Sequence, residues 1–272
     1  MNVIIDCSSI AEHALAELRA RPHIASYCAA LLSGDDPASE RFVRQKERTA
    51  RSLGIDFRAF RFSGKGTTEE LLDAVRMHAE DAACGGIIVQ LPLPPHIDTP
   101  RVIAAIPIAK DVDVLNPASR DAGMVRSPSV GTLVSILSHI GNDAEKLFRQ
   151  KCAVVGRGAL IGGPVSAWLE GRCGSLISLD KGDDFGALRD ADIVVLGAGS
   201  PGCVNAVQLK HDAVVVDFGY GRKQGILSGD FDAAGAPPEL QYTPTPGGTG
   251  PVLVTELFRN FFDMNAKKTS RR

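Results

Sequence analysis

Residues 151–169 read KCAVVGRGALIGGPVSAWL, and the fold is decided there. An apolar run, KCAVV, leads at once into Gly156, Gly158 and Gly162 and then into a segment of helical composition. Strand, glycine loop and helix in that order open a Rossmann lobe. Small residues let the chain turn tightly and let a dinucleotide pyrophosphate approach backbone N–H groups at the helix N-terminus. The spacing is G-x-G-x-x-x-G, one residue longer than the common fingerprint, and the same letters would serve a tight β–α turn without a ligand. Asp180 closes SLISLD, 24 residues after Gly156, and adds a carboxylate where such lobes bind the adenosine ribose hydroxyls.

Working outward, DIVVLGAG (192–199) and AVVVDFG (213–219) read as further buried strands of the same lobe. Upstream, strands and helices alternate again, which implies a parallel α/β sheet. Ser9 is placed to cap a helix through Ala20, and SYCAALL (26–32) is an apolar strand. A helix from about Ser39 stops at Gly54, and IDFRAFRF (55–62) alternates as a strand does. Thr67 and Glu70 make a capping box for EELLDAVRMHAE (69–80), and GGIIVQLPLP (85–94) is a short buried strand ended by its prolines. Between the halves lie NPASRDAGMVRSPSVG (116–131) and a helix at 131–141; a last helix covers about 251–266. The fold class is α/β, in two lobes.

Composition narrows the function. A chain of 272 residues with 44% hydrophobic and 23% charged residues is long enough for one large domain or two small ones with a buried core. A net charge of −2 gives no field favouring nucleic acid or an anionic membrane. No apolar run reaches the length of a membrane span, and MNVIIDCSS lacks a signal peptide's basic start. The six cysteines are scattered without a C-x-x-C pair, which reads as reduced thiols in a cytoplasmic protein; no metal-ligand spacing is present.

Three polar residues stand out: Lys46 in ASERFVRQK (38–46), Gln90 at the carboxyl end of a parallel strand, and Asp113 in KDVDVLNP (110–117). Open α/β sheets bind ligands at such strand ends. Taken singly, each has a plain alternative: a solvated lysine, a strand-end glutamine bonded to backbone, an aspartate in a turn. Phe42 precedes Lys46 by four residues and so shares its helix face.

Together, ASERFVRQKERTARSLGI, GIIVQLPLPPHI, KDVDVLNP, VVGRGALIGGP, ADIVVLGAGSPG, VVVDFGYG, LSGDFD and TPTPGGTGP, in this order, resemble the bifunctional methylenetetrahydrofolate dehydrogenase/methenyltetrahydrofolate cyclohydrolases over about residues 25–260. The resemblance implies an N-terminal folate-binding lobe (1–116 plus 255–272) and a Rossmann-like NAD(P) lobe (117–254). The last helix would pack back on the first lobe, with a cleft between the lobes and a homodimer as the working unit. It assigns Lys46, Gln90, Asp113 and Phe42 to the catalytic site. Phe42, Gln90, Leu91, Pro92, Asp113, Pro246, Gly247 and Gly248 would bind substrate. Gly156, Arg157, Gly158, Ile161, Gly162, Asp180, Lys181, Gly199 and Gly250 would hold NAD or NADP, with no metal.

The chain departs from the family pattern at the site. Phe42 stands at the family's tyrosine. Val114-Leu115-Asn116 replace G-F-H, Arg126-Ser127-Pro128-Ser129 replace P-C-T-P, and Leu253 replaces the Thr of P-M-T. Hydride transfer from the substrate's N–CH2–N bridge rests on positioning, because the adjacent nitrogen lone pair stabilises the cation. Cyclohydrolysis moves protons, and general acid–base help there is worth about 10²–10⁴-fold. Phe42 offers a π face and no hydroxyl, so the stacking surface is kept and the proton relay is cut. The implied activity is an NAD(P)-dependent methylenetetrahydrofolate dehydrogenase with a weak or absent cyclohydrolase step. Alternatives are an oxidoreductase of a modified pterin and a non-catalytic folate or nucleotide sensor. Family members commonly use NADP, and a His-Ser segment lies where this chain has Asp180 and Lys181. A carboxylate at that point suits free ribose hydroxyls and favours NAD, while Arg157 and Lys181 pull towards the 2′-phosphate of NADP.

Overall fold

The computed structural model describes residues 3–223 and 225–269. The chain opens with a short strand, β1 (Val3–Ile4), and a helix, α1 (Cys7–Arg19). Asp6 caps this helix, accepting the Ser9 N–H at 3.0 Å, so α1 starts two residues before the cap expected at Ser9. The chain forms two units. One contains the residues up to His13 with Ser129–Leu253; the other contains Ala14–Pro128 with the residues from Val254 onward. These bounds differ from 1–116 plus 255–272 and 117–254. The first residues join the nucleotide lobe because β1 hydrogen-bonds in parallel to Gln241 and Tyr242.

The unit carrying Lys46 is built from β2 (Tyr27–Ser33), α2 (Pro37–Ser52), β3 (Phe57–Phe62), α3 (Thr68–Glu80), β4 (Cys84–Val89), α4 (Thr99–Ala104) and α5 (Pro117–Ala122). Its parallel sheet has the order β3-β2-β4, with Ala30 opposite both Ala59 and Ile88. The central strand β2 and its neighbour β4 are buried throughout, whereas edge strand β3 exposes Arg58 and Arg61, which lie three residues apart and so on opposite faces. The Thr67–Glu70 capping box starts α3, as its sequence predicts. One sheet face packs Leu31, Ile87 and Val89 on Leu71, Leu72 and Val75 of α3. The other packs Cys28, Ala30 and Ile88 on Phe258, Phe261 and Phe262 of the final helix. Gly86 permits that approach, since a Cβ there would come within 3.0 Å of the Phe261 ring. The last helix thus packs back on the first lobe as expected. A helix within the connecting segment, α5, was not legible; Asn116 caps it through the Ala118 N–H at 3.0 Å.

The other unit contains α6 (Pro128–His139), α7 (Ala144–Arg149), β5 (Lys151–Val155), α8 (Gly162–Leu169), β6 (Ser175–Leu179), β7 (Ile193–Leu196), β8 (Val204–Asn205), β9 (Val214–Asp217), β10 (Gly221–Lys223), β11 (Ile226–Ser228), β12 (Phe231–Asp232) and β13 (Gln241–Tyr242). The final helix, α9 (Thr249–Thr269), begins here. Six strands form one parallel sheet in the order β1-β13-β9-β7-β5-β6. The chain leaves β5 for β6 on one side and returns to β7 on the other. The crevice beyond the carboxyl ends of β5 and β7 is therefore the switch point at which such sheets bind ligands. Gly156 and Gly197 meet there. Gly156 has φ +98°, and a Cβ on it would lie 2.5 Å from the Gly197 carbonyl oxygen.

Candidate active site

Helix α2 places the lysine. Asp36 caps it through the Ser39 N–H at 2.8 Å, Pro37 sits in its first turn, and Gly54 follows its end with φ +69°. Its buried positions are Ser39, Val43, Lys46 and Ala50, spaced at i, i+4, i+7 and i+11. An amine thus occupies a position where such a helix ordinarily carries an apolar side chain. Lys46 is 8% exposed and its charge is compensated inside the unit. Nζ donates to Gln90 Oε1 at 3.0 Å and lies 3.8 Å from Asp113 Oδ2. Burial of an unpaired ammonium would cost several kcal/mol or about that order, so both partners are needed.

Gln90 follows β4 and extends its ladder by one residue, its N–H donating to the Leu31 carbonyl at 2.9 Å. Its Nε2 donates to the Leu91 carbonyl at 2.7 Å, which fixes the amide orientation and turns Oε1 to the lysine. Leu91 is half-buried and Pro92 exposed, and the peptide between them is cis. Phe42, one turn before Lys46, is half-buried.

Asp113 is held by a loop whose organising residue is Asp111. The Asp111 carboxylate is 1% exposed and accepts the N–H groups of Leu115 at 3.1 Å and Asn116 at 2.8 Å. Burial pushes this carboxyl above its ordinary range. Lys110 turns the other way and donates to the carbonyls of His78, Ala79 and Asp81, closing the end of α3. In KDVD, then, the first two polar residues shape the loop and only the last reaches the lysine. Val114 takes φ +55°, a left-handed conformation costly for a β-branched residue, and it follows Asp113 directly. Asn116 also donates to the carbonyls of Ala104 and Ile106 at 3.2 and 2.8 Å.

In the nucleotide-type unit, Gly156 and Gly162 have no space for a side chain, whereas at Gly158 nothing lies within 4 Å of where a Cβ would point. The first two make the tight turn and the third leaves an open approach to the backbone, the arrangement a dinucleotide requires. Ile161 precedes α8 and packs on Gly197. Arg157 donates to the Ser178 carbonyl at 2.9 Å and pairs with Asp183 at 3.3 Å. Asp180 is half-buried, and its Oδ1 accepts the Lys181 N–H at 2.8 Å. Gly199 has φ +62° in the loop after β7. Pro246 and Gly247 are exposed, Gly248 is buried and Gly250 is half-buried, all in this unit and not in that of Lys46. A cavity of about 430 Å³ at the carboxyl ends of β9 and β13 is lined by residues including Asp217, Ser228, Gly229, Thr243 and Thr245. Sequence reasoning missed Asp111, Asp217 and Asp230. All are buried aspartates, and VDFG and SGDF offered a sign, since a carboxylate amid apolar letters must find donors.

Fold and geometry together define a two-unit α/β enzyme with a dinucleotide-binding sheet and a buried Lys–Gln–Asp cluster. Residues 5–113 match the family described as tetrahydrofolate dehydrogenase/cyclohydrolase, catalytic domain, and residues 130–269 match its NAD(P)-binding domain. The bifunctional protein FolD of Exiguobacterium sp. is 34% identical over 281 residues, which cover 98% of this chain and 100% of that protein. Among solved structures, the bifunctional FolD of Campylobacter jejuni superposes with a TM-score of 0.91 at 25% identity, over 98% of this chain and 100% of that one. The Trypanosoma brucei enzyme, complexed with NADP and an inhibitor, gives 0.90 at 27% identity, over 100% and 99%. The chain belongs to the tetrahydrofolate dehydrogenase/cyclohydrolase family. Its cofactor is NAD or NADP.

Proposed function

We propose that this enzyme oxidises 5,10-methylenetetrahydrofolate to the 5,10-methenyl form and carries the cyclohydrolase step to 10-formyltetrahydrofolate weakly or not at all. The observation behind this reading is the cluster of Lys46, Gln90 and Asp113 with Phe42 on the same helix face. Bound nicotinamide supplies the hydride acceptor. The protein's part in that step is to hold the pterin in register, which makes the transfer effectively intramolecular. Asp113 accepts from the amino-pyrimidine edge of the pterin, Gln90 orients the ammonium, and Lys46 faces the reacting end. Pro246, Gly247 and Gly248 add backbone surface to the substrate.

Hydrolysis needs a proton taken from water and another given to the departing nitrogen. Lys46 donates to Gln90 and lies beside Asp113, and Phe42 has no hydroxyl with which to hand a proton on. The family tyrosine's contribution is therefore absent while the positioning groups remain.

For the cofactor we favour NAD. Asp183 balances the charge of Arg157, and Asp180 adds a second carboxylate at the end of β6. A 2′-phosphate there would meet two carboxylates and one compensated guanidinium. The family resemblance further supports a homodimer working in the cytoplasm.

The test is absorbance during incubation with methylenetetrahydrofolate and NAD⁺ or NADP⁺. Reduced cofactor with persisting methenyl product supports the proposal. Absence of turnover and of folate binding would favour a modified pterin as substrate, and tight folate binding without turnover would favour a sensor.

A further inference from the structure

Three consecutive N–H groups in the loop after β7 end on one buried carboxylate. Those of Ala198 and Gly199 donate to Asp230 Oδ2 at 2.7 and 2.9 Å, and that of Ser200 donates to Oδ1 at 2.6 Å. Asp230 is 0% exposed and fixed from several sides. Its carbonyl accepts from Val204 N at 3.1 Å, and its N–H donates to Asp217 Oδ1 at 3.2 Å. Asp217 in turn accepts from Gly219 at 2.7 Å and Phe231 at 3.0 Å. Gly219 has no room for a Cβ because Asp230 fills the space. The loop so anchored starts at Gly197, which abuts Gly156 at the switch point.

A run of N–H groups converging on one point is a form that captures anions. Here the captured anion is internal. The donors of residues 198–200 are used, and a carboxylate behind them opposes a second negative group. The remaining polar groups of this wall are carbonyl oxygens and the Ser200 hydroxyl. We propose that Asp230 is a positioning residue of the cofactor crevice: it turns the loop's donors inward, so that this wall meets the cofactor's hydroxyl or carboxamide donors and leaves its phosphates to the glycine loop at 156–162.

Amide hydrogen exchange on the wild-type protein tests this without a variant. Amides of 198–200 should already be slow in the free protein and change less than about twofold with saturating NAD⁺ or NADP⁺, while those of 158–161 should slow about tenfold or more. Fast exchange at 198–200 in the free protein, slowed only by the dinucleotide, would overturn the proposal. In Asp230→Asn, whose amide cannot accept all three donors, KM for the dinucleotide should rise about tenfold, equivalent to about 1.4 kcal/mol, with KM for the folate within about twofold. Equal changes in both KM values, or no change in either, would also overturn it.

Discussion

Two clusters, one in each unit, manage buried charge in opposite ways. Around Lys46 the partners are side chains, a Gln and an Asp brought from two other segments. Around Asp217 and Asp230 the partners are backbone N–H groups, six of them shared between two carboxylates. Side-chain partners leave valences that a substrate can take up. Backbone partners consume theirs and hold a loop still. The first arrangement suits chemistry, the second suits a rigid wall for a cofactor.

The largest effect should come from the backbone-held pair. Burial raises Asp217 to about 6 in the folded protein, with the Asp230 carboxylate adding to the shift. The folded state binds this proton more tightly than the unfolded chain does. The group's contribution to stability is therefore full below its unfolded value and is lost as pH rises through about 6. The whole change is about 3 kcal/mol, of which about 1 kcal/mol appears between pH 7 and pH 5. Denaturant titrations of wild type and Asp217→Asn at both pH values check this. If the wild type gains nothing on the variant as pH falls, the carboxylate is not held as described.

At the side-chain cluster, Asp113→Ala should weaken folate binding by about 1–3 kcal/mol by leaving donors on the substrate unpaired. Unchanged affinity by calorimetry would remove Asp113 from the substrate site. The loop that carries Asp113 gives a smaller effect. Val112 and Val114 are both buried, but only Val114 has a positive φ. Val114→Gly should cost about 1–2 kcal/mol less than Val112→Gly, because glycine relieves the left-handed strain. Equal losses in a denaturation series would mean that the strain is not there. Smallest is the cofactor choice. Asp180 is half-exposed, so Asp180→Ser should shift the ratio of kcat/KM for NAD and NADP towards NADP by at most about fivefold. An NADP preference in wild type left untouched by this substitution would show that Asp180 does not face the ribose.

The same contrast explains what the sequence discloses. The Rossmann order was legible because strand, glycine loop and helix follow one another locally, and Gly156 and Gly162 there have a steric cause. Lys46 was legible as a polar residue on an amphipathic helix. Its meeting with Gln90 and Asp113 rested on the family resemblance, since the three come from distant segments. The pairing of β1 with β13 was not legible, because a two-residue strand has no period and its partner lies more than two hundred residues away. What Asp230 binds was hidden for a different reason. Its partners are main-chain groups, which every residue possesses, so the letters at 198–200 carry no trace of it.

In the proposed mechanism the positioning groups remain while the proton relay is cut at Phe42. The direct measurement is the ratio of cyclohydrolase to dehydrogenase rate in wild type and in Phe42→Tyr. Methenyl product should accumulate in the wild type. The substitution should raise the cyclohydrolase rate by about tenfold or more, up to the 10²–10⁴-fold that general acid–base help is typically worth, with the dehydrogenase rate altered far less. Comparable rates for both steps in the wild type, and no gain from Phe42→Tyr, would contradict it.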